Sequence, residues 1–254
     1  LALPTHKKTY LVLTDSLRQA AMLVSEILKR GILPNTLEYM DQTALHVVRE
    51  YLSLELPQST RALLLVEVDG DENSTEEQGK KFLGMLADRR TYPGILEVRQ
   101  AHNEKEVDDL WKARRSISPA TYKLRPHKIS EDVVVPKTKI PQLVDFTEKL
   151  SRELGIIILT FGHAGDGNIH VNIMVDKDNQ EEYQKGQAAK RLLFEHVMYL
   201  SGTLSGEHGI GITKAPYLSL ELDETALALM QSIKSVFDPN NIWNPGKIFS
   251  TKSH

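Results

Sequence analysis

The 254-residue chain contains no cysteine, and this absence excludes several kinds of chemistry. Disulfides, iron–sulfur clusters, thiolate zinc sites and thiol nucleophiles all require that residue. The net charge is only −3 at pH 7, with lysines and arginines spread along the chain, so nothing favours a nucleic-acid partner. The longest apolar runs, such as residues 155–161, are far too short to cross a bilayer, and no secretory signal is visible.

Hydrophobic periodicity and turn residues predict that strands alternate with helices along the chain. Predicted strands cover 9–13, 37–40, 62–68, 95–100, 132–135, 156–161 and 170–175. The first predicted helix follows the cap Asp15–Ser16 and ends at Gly31, and the others cover 42–54, 75–87, 103–117, 140–154, 180–200 and 223–237. Each half therefore approximates β-α-β-β-α-β, the order of a ferredoxin-like unit.

This order predicts an α+β fold built from two ferredoxin-like units that lie side by side and share one mainly antiparallel sheet. Helices are expected to cover one face, and a helical segment follows at the C-terminal end. The expected boundaries are 1–102 for the first unit, 103–130 for a bridging helix and 131–254 for the second unit.

Two glycine-rich segments carry the residues most suited to a metal site. Residues 162–170 contain His163 and His170, and residues 206–211 contain Glu207 and His208. Histidine and carboxylate together suit zinc, manganese or iron, and a catalytic site needs only three protein ligands. The alternative is that these are loop histidines whose glycines serve only turns. The spacing is neither a zincin motif nor a dinucleotide fingerprint, and no P-loop occurs.

The predicted elements place these side chains relative to one another. A tight hairpin between the strands at 156–161 and 170–175 would bring His163 close to His170. Asn172 shares a strand face with His170, because side chains alternate along a strand. In an extended backbone Glu207 and His208 would point to opposite sides, which predicts one metal ligand and one residue that faces the substrate.

Three motifs in order, GHAGDGNIHVNI at 162–173, SGEHGIGITK at 205–214 and DPNNIWNPGKIF at 238–249, resemble a known family. It is the C-terminal domain of FAD-linked 2-hydroxyacid dehydrogenases, which include D-lactate dehydrogenase, D-2-hydroxyglutarate dehydrogenase and the glycolate oxidase D subunit, within the vanillyl-alcohol-oxidase group. The resemblance implies that His163, His170 and Glu207 bind a divalent metal. It further implies that His208 is the catalytic base and that Asn172 lines the substrate pocket.

The resemblance extends upstream to the segment LWKARR at 110–115. It implies that Arg114 binds the substrate carboxylate, with Arg115 as the second choice, and that Ser118 adds a hydrogen bond. Lys128 is a further substrate-pocket candidate, although a solvated lysine would fit its position equally well.

The terminal segment NPGK at 244–247 resembles the part of the family that approaches the flavin. This implies cofactor contacts for Asn244 and Lys247, and a simple terminal turn is the alternative.

The chemistry implied is oxidation of a small D-2-hydroxy acid, such as lactate, glycolate or 2-hydroxyglutarate, to the 2-keto acid. A planar guanidinium suits the carboxylate, the metal, with zinc favoured, lowers the pKa of the hydroxyl, and the base takes its proton. Hydride would pass to FAD, which a separate N-terminal domain, absent from this chain, is expected to bind. The isolated chain is therefore expected to be inactive.

The expected partners are the 2-hydroxy acid and that FAD-binding domain, and an exposed flavin-facing surface would favour homodimers. A start at Leu1 rather than methionine suggests a processed product or a piece of a longer chain, with the bacterial cytoplasm or the mitochondrion as the expected compartment. Two other functions are consistent with the residues: a stand-alone metal-dependent hydrolase or lyase, and a non-catalytic partner of a separate flavin subunit. The NPGK segment and the arginine helix favour the dehydrogenase, because a hydrolase needs neither.

Overall fold

A seven-stranded sheet organises the computed structural model, which describes residues 3–52 and 55–249 of the chain. Its strands are β1 (His6–Thr14), β2 (Thr36–Asp41), β3 (Ala62–Gly70), β4 (Ile95–Gln100), β5 (His127–Val134), β6 (Ile157–His163) and β7 (Asn168–Val175). The α-helices are α1 (Leu17–Lys29), α2 (Gln42–Val48), α3 (Glu72–Leu86), α4 (Glu104–Ala120), α5 (Ile140–Leu154), α6 (Gln180–Tyr199) and α7 (Glu224–Phe237).

The strand order β4-β1-β3-β2-β6-β7-β5 confirms the α+β class and the shared antiparallel sheet. The first four strands have the 4-1-3-2 order of a ferredoxin-like unit. The next three repeat that order without a fourth strand, whose place is taken by a single bridge between Val134 and Thr203. The halves join where β2 pairs antiparallel with β6, and this seam sets Glu38 opposite His163.

Helices pack against both faces of the sheet, whereas the sequence led us to expect helices on one face only. Alternate residues of β1 show this: Tyr10 and Val12 belong to a core that also contains residues of α1, α3, α5 and α6. Leu11 and Leu13 belong to a second core with α2 and α4. The cause is an extra helix, α2, between β2 and β3, which with α4 covers the face that a simple ferredoxin-like unit leaves open.

Several predicted boundaries shift for identifiable reasons. Helix α3 begins at Glu72, because the Asp71 side chain accepts a hydrogen bond from the Ser74 backbone N–H and caps the helix one turn earlier than predicted. Helix α2 ends at Val48 and a 3₁₀ turn follows, while the predicted end at Leu54 lies outside the described residues. Strand β5 begins at His127, five residues before the predicted start, because it pairs with all of β7.

The length and apolar character of the helices bear on whether one of them could cross a bilayer. Among the helices of residues 3–52 and 55–249, none combines the length and the apolar character needed to cross a membrane.

Candidate metal and substrate site

The hairpin of β6 and β7 brings His163 and His170 together, as the sequence predicted. Their ring centroids lie 5.3 Å apart. Gly167 makes the hairpin turn feasible, because its φ of 88° is unfavourable for other residues and a Cβ there would lie 2.3 Å from the Val135 carbonyl oxygen.

Glu207 approaches this pair from the second glycine-rich segment. Its Oε1 lies 3.7 Å from His163 Nε2 and 3.5 Å from His170 Nε2. One donor atom from each of the three residues lies within 4.8 Å of the others. A tetrahedral site with ligands at about 2.0–2.1 Å separates its donors by about 3.4 Å, so small side-chain movements would complete the site. The residues present therefore fit a divalent metal.

Glu38 joins the metal donors to the arginine helix, and sequence reasoning missed it. Its Oε1 contacts His163 Nδ1, and its Oε2 accepts a hydrogen bond of 2.8 Å from Arg114 Nε and forms an ion pair with Nη2 at 2.8 Å. The Glu38 side chain is only 6% exposed. The one available signal was a carboxylate inside strand β2, between the apolar residues Leu37 and Tyr39. Because Nδ1 of His163 faces Glu38, Nε2 of the same ring faces Glu207.

The two histidines differ in electrostatic environment. A hydrogen bond with Glu38 raises the pKa of His163. Burial, followed by the charge of Arg114, lowers the pKa of His170 to about 4. His170 is therefore neutral at pH 7, which is the form that binds metals. Burial by itself would raise the pKa of Glu38, but the His163 hydrogen bond and the Arg114 charge hold it below its ordinary value.

Arg114 faces the site from α4, whereas Arg115 is exposed. The Arg114 guanidinium carbon lies 4.8 Å from the centre of the Phe161 ring, so the side chain is fixed by stacking as well as by Glu38. This geometry agrees with the preference for Arg114 over Arg115 that the resemblance implied.

Lys128 and Ser118 form a contact beside this arginine. Lys128 Nζ donates to Ser118 Oγ at 2.7 Å and to its carbonyl oxygen at 3.0 Å. Burial lowers the pKa of the Lys128 ammonium. Ser118 lies one helical turn beyond Arg114 on α4.

Asn172 is fully buried, with 0% of its surface exposed. Among the described residues, neither its side-chain oxygen nor its nitrogen has a hydrogen-bond partner. It shares the strand face of His170, as predicted. A buried amide without partners costs about 1–3 kcal/mol for each unsatisfied group, so a polar ligand that reached Asn172 would stabilise this position.

His208 stacks over His170, with ring centroids 5.7 Å apart and ring planes at 21°. Its Nδ1 lies 3.3 Å from Oδ1 of Asp132, a fully buried carboxylate that sequence reasoning did not single out. Burial alone would raise the pKa of Asp132, but hydrogen bonds from Lys214 and from backbone N–H groups hold it below its ordinary value.

The terminal segment lies next to the end of the Glu207 loop. The Ile248 N–H donates to the Gly211 carbonyl oxygen at 2.7 Å. Asn244 is exposed and Lys247 is half-buried. Within the described part of the chain, neither side chain makes a hydrogen bond or ion pair with the three clustered donors.

Comparison with known proteins identifies the family. Residues 3–248 match the model of the C-terminal domain of FAD linked oxidases, and the chain belongs to this family. The glycolate oxidase subunit GlcD of Bacillus subtilis is 38% identical over 97% of this chain and 52% of its own length. A D-lactate dehydrogenase of Archaeoglobus fulgidus is 35% identical over 86% of this chain and 46% of its own length. The chain thus spans about half the length of the curated relatives it matches.

Solved structures show the same fold at low sequence identity. p-Cresol methylhydroxylase superposes with a TM-score of 0.72 at 13% identity, over 100% of this chain and 55% of that protein. The 4-ethylphenol oxidase of Gulosibacter chungangensis gives 0.67 at 16% identity, over 98% of this chain and 54% of that protein. These likenesses show that the chain shares the fold of those two structures.

Proposed function

We propose that this chain is the substrate- and metal-binding part of an FAD-dependent enzyme that oxidises a small D-2-hydroxy acid to the 2-keto acid. The observation that carries the proposal is the convergence, on one sheet face, of a three-donor cluster, a fixed arginine and an unpartnered buried amide. The relatives named as glycolate oxidase, D-lactate dehydrogenase and D-2-hydroxyglutarate dehydrogenase support the substrate class.

His163, His170 and Glu207 would hold the metal. Zinc is favoured, and manganese and iron suit the same donors. A divalent ion bound there would supply the positive charge that lowers the pKa of the substrate hydroxyl.

Arg114 would bind the substrate carboxylate. Its Nε donates to Glu38 and its Nη2 pairs with the same carboxylate oxygen, so the guanidinium is held in place for a carboxylate to bind its remaining N–H groups. Ser118 and Lys128 would add polar contacts to the substrate, and Asn172 would donate to or accept from it. The preformed arrangement lowers the entropy lost on binding.

His208 would take the hydroxyl proton. Its ring stacks on His170 and is about half exposed, so a ligand can reach it. Histidine is the side chain that most often serves as a general base in proteins. FAD supplies the hydride acceptor, and Asn244 and Lys247 are the residues of this chain proposed to contact it.

The partner proposed for this chain is the FAD-binding part of the same enzyme. Helix α7 and the segment behind it expose large apolar side chains, among them Phe237 at 71% and Trp243 at 59%. Contiguous apolar surface of this kind is typical of a contact with another protein surface. Homodimers through this surface are the competing arrangement.

The test is the visible spectrum of the full-length parent during mixing with D- and L-2-hydroxy acids under anaerobic conditions. The proposal predicts a flavin spectrum that one D-hydroxy acid bleaches. Arg114→Lys should weaken that substrate's binding at least tenfold, while the exposed control Arg115→Lys should change it less than twofold. A colourless protein that hydrolyses esters only with metal would contradict the proposal.

A further inference from the structure

The loop that carries Glu207 and His208 is poorly supported by packing. Residues 204–211 form no helix or strand in the described structure. The two side chains are 52% and 53% exposed. Side-chain burial therefore does not determine where either functional group lies, and the backbone must be held in another way.

One buried carboxylate holds this backbone. Oδ2 of Asp132 accepts hydrogen bonds from three consecutive N–H groups, at 2.9 Å from Gly206, 2.6 Å from Glu207 and 2.9 Å from His208. Hydrogen bonds to an ionised acceptor are about twice as strong as neutral ones. Gly206 is required for this approach, because a Cβ there would lie 2.4 Å from the Asn168 side-chain oxygen.

The second carboxylate oxygen has a different set of partners. Lys214 Nζ donates to Oδ1 and, at 2.8 Å, to the backbone carbonyl oxygen of Asp132. His208 Nδ1 lies 3.3 Å from the same Oδ1. A proton on Nδ1 that points to the carboxylate leaves Nε2 of His208 as the proton acceptor.

The position of Asp132 in the sheet relates these contacts to the metal donors. Asp132 on β5 lies directly opposite His170 on β7. The carboxylate therefore fixes the Glu207 loop to the strand position next to a histidine donor. We propose that Asp132 is a positioning residue that sets Glu207 as a metal ligand and His208 as the Nδ1–H tautomer. This inference rests on the proposed function for the roles of Glu207 and His208.

The first test uses the unaltered, metal-free chain and amide hydrogen exchange. The N–H groups of Gly206, Glu207 and His208 should exchange at least about 100-fold more slowly than expected for an exposed loop, because Asp132 binds all three. The amides of Gly209 and Ile212, which lie further along, serve as internal comparisons and should exchange faster. Rapid exchange of all three amides would overturn the proposal, whether or not the chain binds metal.

The second test compares two isosteric variants of adjacent buried carboxylates. Asp132→Asn removes the charge that faces the loop, and Glu131→Gln removes a charge of the opposite face that pairs with Lys190 at 2.7 Å and lies only 3.9 Å from Lys214. Loss of a group that orients ligands weakens metal binding about 10–100-fold, so Asp132→Asn should bind Zn²⁺ at least tenfold more weakly. Glu131→Gln should stay within about threefold of the unaltered chain, even where both variants lose similar stability.

The outcomes separate the inference from the proposed function. If the unaltered chain binds no Zn²⁺, the proposed metal site is wrong, and the exchange test still decides the role of Asp132 in the loop. If Asp132→Asn binds Zn²⁺ as tightly as the unaltered chain, the positioning role is wrong.

NMR of the His208 ring nitrogens should show the Nδ1–H tautomer in the unaltered chain and a shift toward Nε2–H in Asp132→Asn. If that variant does not fold, the exchange and tautomer measurements on the unaltered chain decide the question.

Discussion

The two halves of the sheet present contrasting side chains on the face beneath α4. In the first half this face carries buried leucines, including Leu11, Leu13, Leu63 and Leu65, packed against the helix. In the second half the same face carries apolar residues, Leu159, Phe161 and Met174, together with polar groups that include Asp132, His170 and the unpartnered Asn172.

The difference follows from what each half must do. Apolar positions on a half-buried strand stabilise the fold, whereas buried polar groups weaken it unless each has a partner. Departures from the local rule concentrate at functional sites. Substitutions in the first half should therefore affect folding, and substitutions in the second half should affect ligand binding.

The largest effect is expected for Leu65→Ala in the first half. Leu65 is 0% exposed, and removal of a fully buried leucine side chain costs about 2–5 kcal/mol of unfolding free energy. Urea denaturation measures this loss, and Zn²⁺ affinity of the folded variant should be unchanged. A loss of metal binding without a loss of stability would reverse the proposed division between the halves.

The seam between the halves should give a pH-dependent effect. Asp41 at the end of β2 accepts hydrogen bonds from Ala44 N–H and from the Thr160 hydroxyl on β6, and burial raises its pKa from 3.8 to about 6. The folded state therefore binds the proton more tightly than the unfolded state. The contribution of protonated Asp41 to the unfolding free energy is complete below pH 3.8, and it is lost as the pH rises through 6.

Asp41→Asn should remove this pH dependence. The unfolding free energy of the variant minus that of the unaltered chain should rise by about 3 kcal/mol between pH 3.5 and pH 7, at about 1.4 kcal/mol for each pKa unit. Urea denaturation in the presence of a chelator measures the difference at each pH. A difference that stays constant over this range would show that Asp41 titrates normally.

His170→Ala in the second half should lower Zn²⁺ affinity at least about 100-fold, equivalent to about 2.7 kcal/mol, because one of three protein ligands is lost. The unfolding free energy of the metal-free chain should fall by about 0.5–3 kcal/mol, since the ring is largely buried and lies 5.2 Å from the Phe161 ring. Titration calorimetry and urea denaturation give the two values. Equal affinity in the variant would remove His170 from the ligand set.

The smallest effect is expected for Asn172→Leu. A leucine of similar volume removes two unsatisfied polar groups, so the unfolding free energy should rise by about 1 kcal/mol. In the full-length parent the same change should weaken substrate binding. Asn172→Asp, which keeps the shape but adds a buried charge, should instead destabilise the chain. A loss of stability in the leucine variant would indicate that Asn172 has partners in solution.

The sequence predicted the helices and strands whose hydrophobic periodicity is strong, and it predicted the residues that stand in a distinctive motif. The β6–β7 hairpin, with its two histidines, was predictable because glycines and alternation determine it locally. Glu38 and Asp132 were not, because their importance depends on strand pairing across the sheet: β2 with β6, and β5 with β7. The preference for Arg114 over Arg115 came from the resemblance, and the contacts of Arg114 with Glu38 and Phe161 support it.

The central claim is that His163, His170 and Glu207 form one metal site, and metal stoichiometry tests it most directly. The chain should be loaded with Zn²⁺, dialysed and analysed for metal, with His163→Ala as the test variant and the exposed His102→Ala as its control. The account predicts about one equivalent in the unaltered chain and in His102→Ala, and far less in His163→Ala. Equal metal content in all three proteins, or none in the unaltered chain, would contradict it.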